Sequence, residues 1–189
     1  LANASATIAE GEVLQLSAAQ DLKTTEEVYF KVIRGKTAAL FAAAMEVGAV
    51  IAEQDEKTVQ ALSDYGDALG ISFQIVDDLL DYTGTDTTGK NIGDDFRECK
   101  LTLPVIKAVD AADGDELAFW QKCIGKGKQD EGDLEHALTL MYAHNTLQDT
   151  RTQALFWADK AKKTLDVMPE HALKTMLMDL SDYVVARLN

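Results

Sequence analysis

Proline is almost missing from this chain: Pro104 and Pro169 are the only two in 189 residues. Proline breaks or kinks a helix interior, so this shortage leaves long stretches free to stay helical. Strand signals are scarce too, with no polar–apolar alternation of useful length. Cysteine is limited to Cys99 and Cys123. That excludes a disulfide framework, and both thiols are expected free. No apolar run reaches the ~18 residues a membrane-spanning helix needs. No signal peptide is recognisable, so a soluble, cytoplasmic protein is expected. Basic residues are also few: 18 against 32 acidic ones, a net charge of −14. A surface of that sign repels nucleic acid and anionic lipid, which argues against either as a partner. An initiator methionine is missing as well. The chain opens inside an alanine-rich, helix-like stretch, Leu1 to Leu16, and reads as a fragment or a trimmed protein.

What is present favours helices. Hydrophobic residues make up 47% of the chain, enough for a sizeable core, and alanine, leucine, glutamate, aspartate and lysine are plentiful. Residues Ala2–Ala19 read as one amphipathic helix. Thr24 or Thr25 caps the next, which runs to Ile33. Gly35 is expected to interrupt it before a second piece continues over Lys36–Ala52. The strongest helical pattern covers Glu56–Tyr82, followed by a polar loop from Gly84 to Lys100. Pro104 opens another helix, as proline does in a first turn. Further helices are predicted at Glu116–Ile124, Asp133–Asn145, Leu147–Val167 and Glu170–Leu188, with Gly125–Gly132 as a linker. The expected fold is all-α, an antiparallel helical bundle forming one domain over residues 1–189.

The Gly70–Tyr82 segment carries the most unusual chemistry. Each helical residue advances roughly 100°, which gathers Gln74, Asp77, Asp78 and Asp81 within an arc of about 100°. Phe73, Ile75, Val76, Leu79 and Leu80 form the other side and are expected to be buried. Like charges at such spacing repel, and a hard divalent cation relieves that repulsion. Magnesium typically takes one or two carboxylates together with substrate phosphates. A solvated acidic face is the bland alternative for the bare pattern.

Lys36 falls on an apolar stripe with Tyr29, Val32, Ile33 and Leu40. A lysine there either snorkels to water or meets a buried anion, and Thr37 beside it offers a hydroxyl to a phosphate oxygen. Lys90 and Lys100 lie in the loop just beyond the aspartates. Cations beside a carboxylate–metal cluster suit a polyanion such as a diphosphate; an ordinary charged loop is the plainer reading. Gly84 to Lys90 matches the core of a P-loop. Asn91, however, stands where Ser or Thr would hold magnesium, and an acidic helix precedes it instead of a strand. The EF-hand spacing is likewise absent.

Phe73-Gln-Ile-Val-Asp-Asp-Leu-Leu-Asp81 resembles the second aspartate-rich motif of the trans-isoprenyl diphosphate synthases, the polyprenyl synthetases. Gly89-Lys90 and Gly93–Pro104 resemble the segment that follows it. Glu10-Gly-Glu-Val-Leu-Gln15 and Tyr29 with Lys36-Thr37-Ala-Ala-Leu-Phe41 resemble upstream elements, in the family's order. Together they cover Leu1 to about Val109. The wording around Gln15 and Lys36 is similar to bacterial long-chain synthases that make quinone side chains.

The resemblance implies a bundle of long helices around a deep apolar cavity, usually in a homodimer. It implies condensation of isopentenyl diphosphate with an allylic diphosphate, dependent on Mg2+. By resemblance Asp77 ligates magnesium, and Asp78 and Asp81 ligate it or hold its water shell. Lys36 and Lys90 would grip the allylic diphosphate, Thr37 and Gln74 would line its pocket, and Lys100 would supply a further cation. Asp95 would pair with a lysine, and Leu40, Phe41 and Phe73 could face the prenyl tail or simply pack. His136, His144 and His171 are expected at the surface or satisfied, and Trp120 and Trp157 as packing anchors.

Cys99 departs from the family pattern, standing where glycine is usual. The family's first aspartate-rich motif and its isopentenyl diphosphate site have no counterpart here, so this chain alone is expected to be inactive. Two other readings stay open: a non-catalytic or regulatory subunit of a heteromeric synthase, and a terpene cyclase.

Overall fold

The computed structural model describes residues 2–84 and 92–188. Its helices are α1 (Ala2–Ala18), α2 (Glu26–Ile33), α3 (Ala39–Ile51), α4 (Glu56–Thr83) and α5 (Asp94–Arg97). The rest are α6 (Leu103–Ala111), α7 (Gly114–Trp120), α8 (Asp133–Ala143), α9 (Thr146–Thr164) and α10 (Ala172–Ala186). No strand occurs among the described residues. None of their helices is long and apolar enough to cross a membrane.

Local chemistry sets the boundaries. The Thr25 hydroxyl caps α2 by accepting the Val28 amide at 3.4 Å. Asp55 does the same for α4, from Thr58 at 2.7 Å. Pro104 sits in the first turn of α6. His171 opens α10 by accepting the Leu173 amide through Nδ1 at 3.1 Å.

Four expectations need correction. Gly35 does not break its helix: α2 runs into α3 through a π turn, Arg34–Ala38, which widens the coil locally. The loop Gly84–Lys100 is not wholly irregular, because its second half folds into α5. A second π turn, Gln121–Gly125, ends the helix expected at Glu116–Ile124. The last helix is shorter than Glu170–Leu188 at both ends.

Helix α4 is the central post, packed between α3 and α9, with α10 and α6 completing its surround. Its approach to the π turn that leads into α3 is close enough to require glycine: a Cβ on Gly70 would stand 2.6 Å from the Ala38 Cα. A Cβ on Gly11 of α1 would lie 2.5 Å from the Lys36 backbone nitrogen, so α1 crosses directly over the π turn. One apolar cluster surrounds the first two-thirds of α4, including Tyr65, Ile71, Ile75 and Val76. A second surrounds Phe96, Trp120, Cys123, Ile124 and Met141. Val76 belongs to the first cluster and Leu79 to the second, so Asp77 and Asp78 sit at the seam between them.

Candidate active site

A cavity of about 140 Å³ opens at that seam. Gln15 reaches it from α1, Tyr29 and Val32 from α2, and Lys36 from the π turn. Gln74, Asp77 and Asp78 face it from α4, Asp95 from α5 and Lys100 from the segment beyond α5. Five of the residues singled out in the sequence (Lys36, Gln74, Asp77, Asp78 and Lys100) therefore line one cavity. Thr37 joins by donating its hydroxyl to Gln74 Oε1 at 2.8 Å. Lys90 lies outside the described residues.

The aspartates are not equivalent. Asp78 is only 5% exposed. Its Oδ2 accepts the Tyr29 hydroxyl at 2.6 Å and its Oδ1 accepts Gln74 Nε2 at 2.8 Å. Burial pushes its carboxyl up to about 7, although the donors from Tyr29 and Gln74 favour the charged form. The same burial, with the Asp78 charge beside it, raises the Tyr29 phenol well above its ordinary range. Asp81, buried as well, does not line the cavity. Its two oxygens accept the backbone amides of Asp94 at 3.2 Å and Asp95 at 3.0 Å, anchoring the start of α5. Burial raises its carboxyl too, opposed by the Asp95 amide. Asp77 is half-buried, with Arg187 Nη2 3.8 Å from its Oδ1. Phe73 and Leu80, expected to be buried, are only partly so.

The cations are also held. Lys36 Nζ donates to Gln15 Oε1 at 3.2 Å. Lys100 contacts Asp95 at 3.1 Å and Glu98 at 2.6 Å. Burial works against the Lys100 ammonium, but those two carboxylates hold it above the ordinary lysine range. Among the described residues no three His, Cys, Asp or Glu form a ready-made metal cage. The donor set suits a hard cation that brings phosphate oxygens with it, since magnesium rarely uses an all-protein cage.

Sequence reasoning missed Tyr29, Gln15 and Arg187 as site residues. Tyr29 stands on the Lys36 stripe and in the family-like element around it, with no role of its own assigned. Arg187 follows the end of α10, where a cation is also what the helix dipole favours, so its position carried no signal. Phe41 and Phe73 meet with ring centroids 5.6 Å apart, whereas Leu40 is 52% exposed. The histidines do structural work: His144 Nε2 lies 2.7 Å from Glu116, and His136 packs on the Phe119 ring at 4.6 Å. Trp120 is fully buried. Both cysteines are free and buried.

The family model described as polyprenyl synthetase matches residues 1–141. Octaprenyl diphosphate synthase of Haemophilus influenzae is 38% identical over 99% of this chain and 57% of its own length. All-trans-nonaprenyl-diphosphate synthase (geranyl-diphosphate specific) of Rhodobacter capsulatus is 36% identical over 96% of the chain and 55% of its own. Among solved structures, a decaprenyl diphosphate synthase from Rhodobacter capsulatus superposes with a TM-score of 0.95 at 64% identity, covering 100% of this chain and 58% of that one. A polyprenyl synthase from Caulobacter crescentus, complexed with calcium and isoprenyl diphosphate, gives 0.93 at 46%, covering 98% and 57%. The chain thus spans a little over half the length of these relatives.

Proposed function

The chain belongs to the polyprenyl synthetase family, and from that premise we propose that the protein condenses isopentenyl diphosphate with an allylic diphosphate, building a long polyprenyl diphosphate. The observation that carries this reading is the convergence of Lys36 with Asp77 and Asp78 on one cavity, tied across by Thr37 and Gln74. Relatives named as octaprenyl, nonaprenyl and decaprenyl synthases support a long product.

The hard part of the reaction is breaking the allylic C–O bond. Diphosphate leaves with the electron pair only if its growing charge is neutralised by groups already in place. Lys36 and Thr37 would donate to phosphate oxygens from the π turn, with Gln74 and Lys100 on the same cavity; the family resemblance adds Lys90. Asp77, half-buried at the cavity, would take the divalent ion, with Asp78 and Asp81 behind it. Magnesium, when bound, would supply the rest of the charge neutralisation. The freed allylic carbon bonds to the isopentenyl double bond, and loss of a proton restores an alkene. A cytoplasmic homodimer is part of the same proposal.

The test uses the whole protein with magnesium and labelled isopentenyl diphosphate. Asp77→Ala should lower condensation at least about a hundredfold, as loss of a key electrostatic group does, while the melting temperature stays close to wild type. Near-normal turnover in that variant would overturn the roles assigned here, and cyclised hydrocarbon products would overturn the reaction.

A further inference from the structure

We propose that Tyr29 is a positioning residue for the metal-binding face, setting the Asp78 carboxylate through its hydroxyl. The proposal rests on the reading of the site given above and extends it to a residue outside the aspartate motif.

A phenol oxygen in the core needs a reason. Tyr29 is 4% exposed, and its ring packs edge-on against Phe30 with centroids 5.5 Å apart. Phenylalanine would fill that space equally well. A buried hydroxyl is unfavourable unless bonded, and this one is bonded to Asp78 at 2.6 Å, across 49 residues of sequence. The contact is short, as hydrogen bonds to a carboxylate are.

The geometry around Asp78 gives the contact a purpose. Its two oxygens take donors from different directions: Oδ2 from Tyr29 on α2, Oδ1 from Gln74 one turn earlier on α4. Gln74 is oriented in turn by the Thr37 hydroxyl. Asp78 is therefore gripped from both sides of the π turn that carries Lys36, by α2 before it and by Thr37, through Gln74, within it. Both donors point toward the carboxylate, so the ionised Asp78 accepts from each of them. Each carboxylate oxygen retains a further lone-pair site, and Asp78 faces the cavity. A fixed acceptor beside Asp77 suits the water shell of a divalent ion, and such outer partners tune affinity strongly. Tyr29 fixes that acceptor relative to the element that grips the diphosphate.

The experiment titrates magnesium calorimetrically into the whole protein in the presence of inorganic diphosphate. It compares wild type, Tyr29→Phe, Asp78→Asn, the double variant and Asp77→Ala. Tyr29→Phe should weaken magnesium about tenfold, the lower end for loss of an outer partner. Diphosphate binding without metal should not change. In the Asp78→Asn background Tyr29→Phe should have no further effect, because the two act through one contact. In turnover, Tyr29→Phe should lower kcat and leave KM for the allylic substrate near wild type.

Wild-type magnesium affinity in Tyr29→Phe would overturn the proposal. So would an equal loss in the Asp78→Asn background, which would mark a general packing defect. Asp77→Ala separates the two claims. If it too binds magnesium like wild type, the site reading itself has failed. If it alone loses binding, only the role of Tyr29 has failed.

Discussion

The buried Asp78 carboxyl makes the metal-free protein lose stability as pH rises from the acid range toward neutrality. In the unfolded chain this group titrates near 3.8, and in the folded chain at about 7. Between those values the folded state binds the extra proton, so unfolding releases it and stability falls with increasing pH. The contribution is complete below the unfolded value and is gone once pH has passed the folded one. Each pH unit crossed in that window is worth about 1.4 kcal/mol. From pH 5 to pH 8 the loss is therefore roughly 3 kcal/mol. In a chain of this size that is a fall of roughly 6–12 °C in melting temperature.

Asp78→Asn removes the titration. The amide oxygen can still accept from Tyr29, and Gln74 can turn its own Oε1 toward the new amide nitrogen. Chemical denaturation of wild type and Asp78→Asn in chelator, at half-unit steps from pH 5 to pH 8, isolates the term. Other titrating groups contribute to both proteins and cancel in the difference. Wild type should lose about 3 kcal/mol more than the variant across that range, with the divergence steepest in the lower part of the range and levelling off above pH 7. Parallel curves, or a wild-type curve that climbs relative to the variant, would refute the assignment of a buried, proton-binding carboxyl to Asp78.

Two further perturbations probe the frame around the site. Gly70→Ala would place a methyl 2.6 Å from the Ala38 Cα; because that neighbour is backbone, the π turn and α4 must separate, and destabilisation of about 1–3 kcal/mol or more by urea unfolding is expected. A cost under a few tenths would mean the helices are not in that contact. Cys99 stands at φ +55°, a left-handed conformation that burdens any side chain by roughly 1–2 kcal/mol. Cys99→Gly and Cys99→Ala both lose the sulfur, but only glycine escapes the strain. The glycine variant should therefore be the more stable by about 1 kcal/mol, and the reverse order would remove strain as the reason.

That backbone angle explains the one departure noted in the sequence. The chain turns left-handed there, just before Lys100 enters the cavity, and that is the conformation glycine adopts at no steric cost. The sequence could flag the substitution but not the dihedral behind it. The helix pattern was otherwise legible, because Thr25, Asp55 and Pro104 mark their own helix starts by local chemistry. The site was legible in composition more than in arrangement. Periodicity placed Gln74, Asp77, Asp78 and Asp81 on one arc, but the difference between them comes from what covers the arc. Tyr29 closes over Asp78, and the backbone amides of α5 close over Asp81.

The π turn is where reading by period had to fail. A stripe counted at about 3.6 residues per turn puts Tyr29, Val32, Ile33, Lys36 and Leu40 in line. Through Ile33 the count holds, and all three apolar residues are buried. From Arg34 to Ala38 the helix takes a wider turn. Each residue then advances through a smaller angle, and the stripe drifts. Lys36, in mid-turn, still reaches the cavity, but Leu40 is carried out to 52% exposure. Gly35 was the visible signal and was read as a break, since glycine inside a helix usually weakens it. Its use here is different: it lets α1 pass against the wide turn at Gly11. That crossing puts Gln15 within hydrogen-bonding distance of Lys36. The same local widening therefore spoils the periodic prediction and aims the lysine, which accords with the tendency of π turns to occur at functional sites.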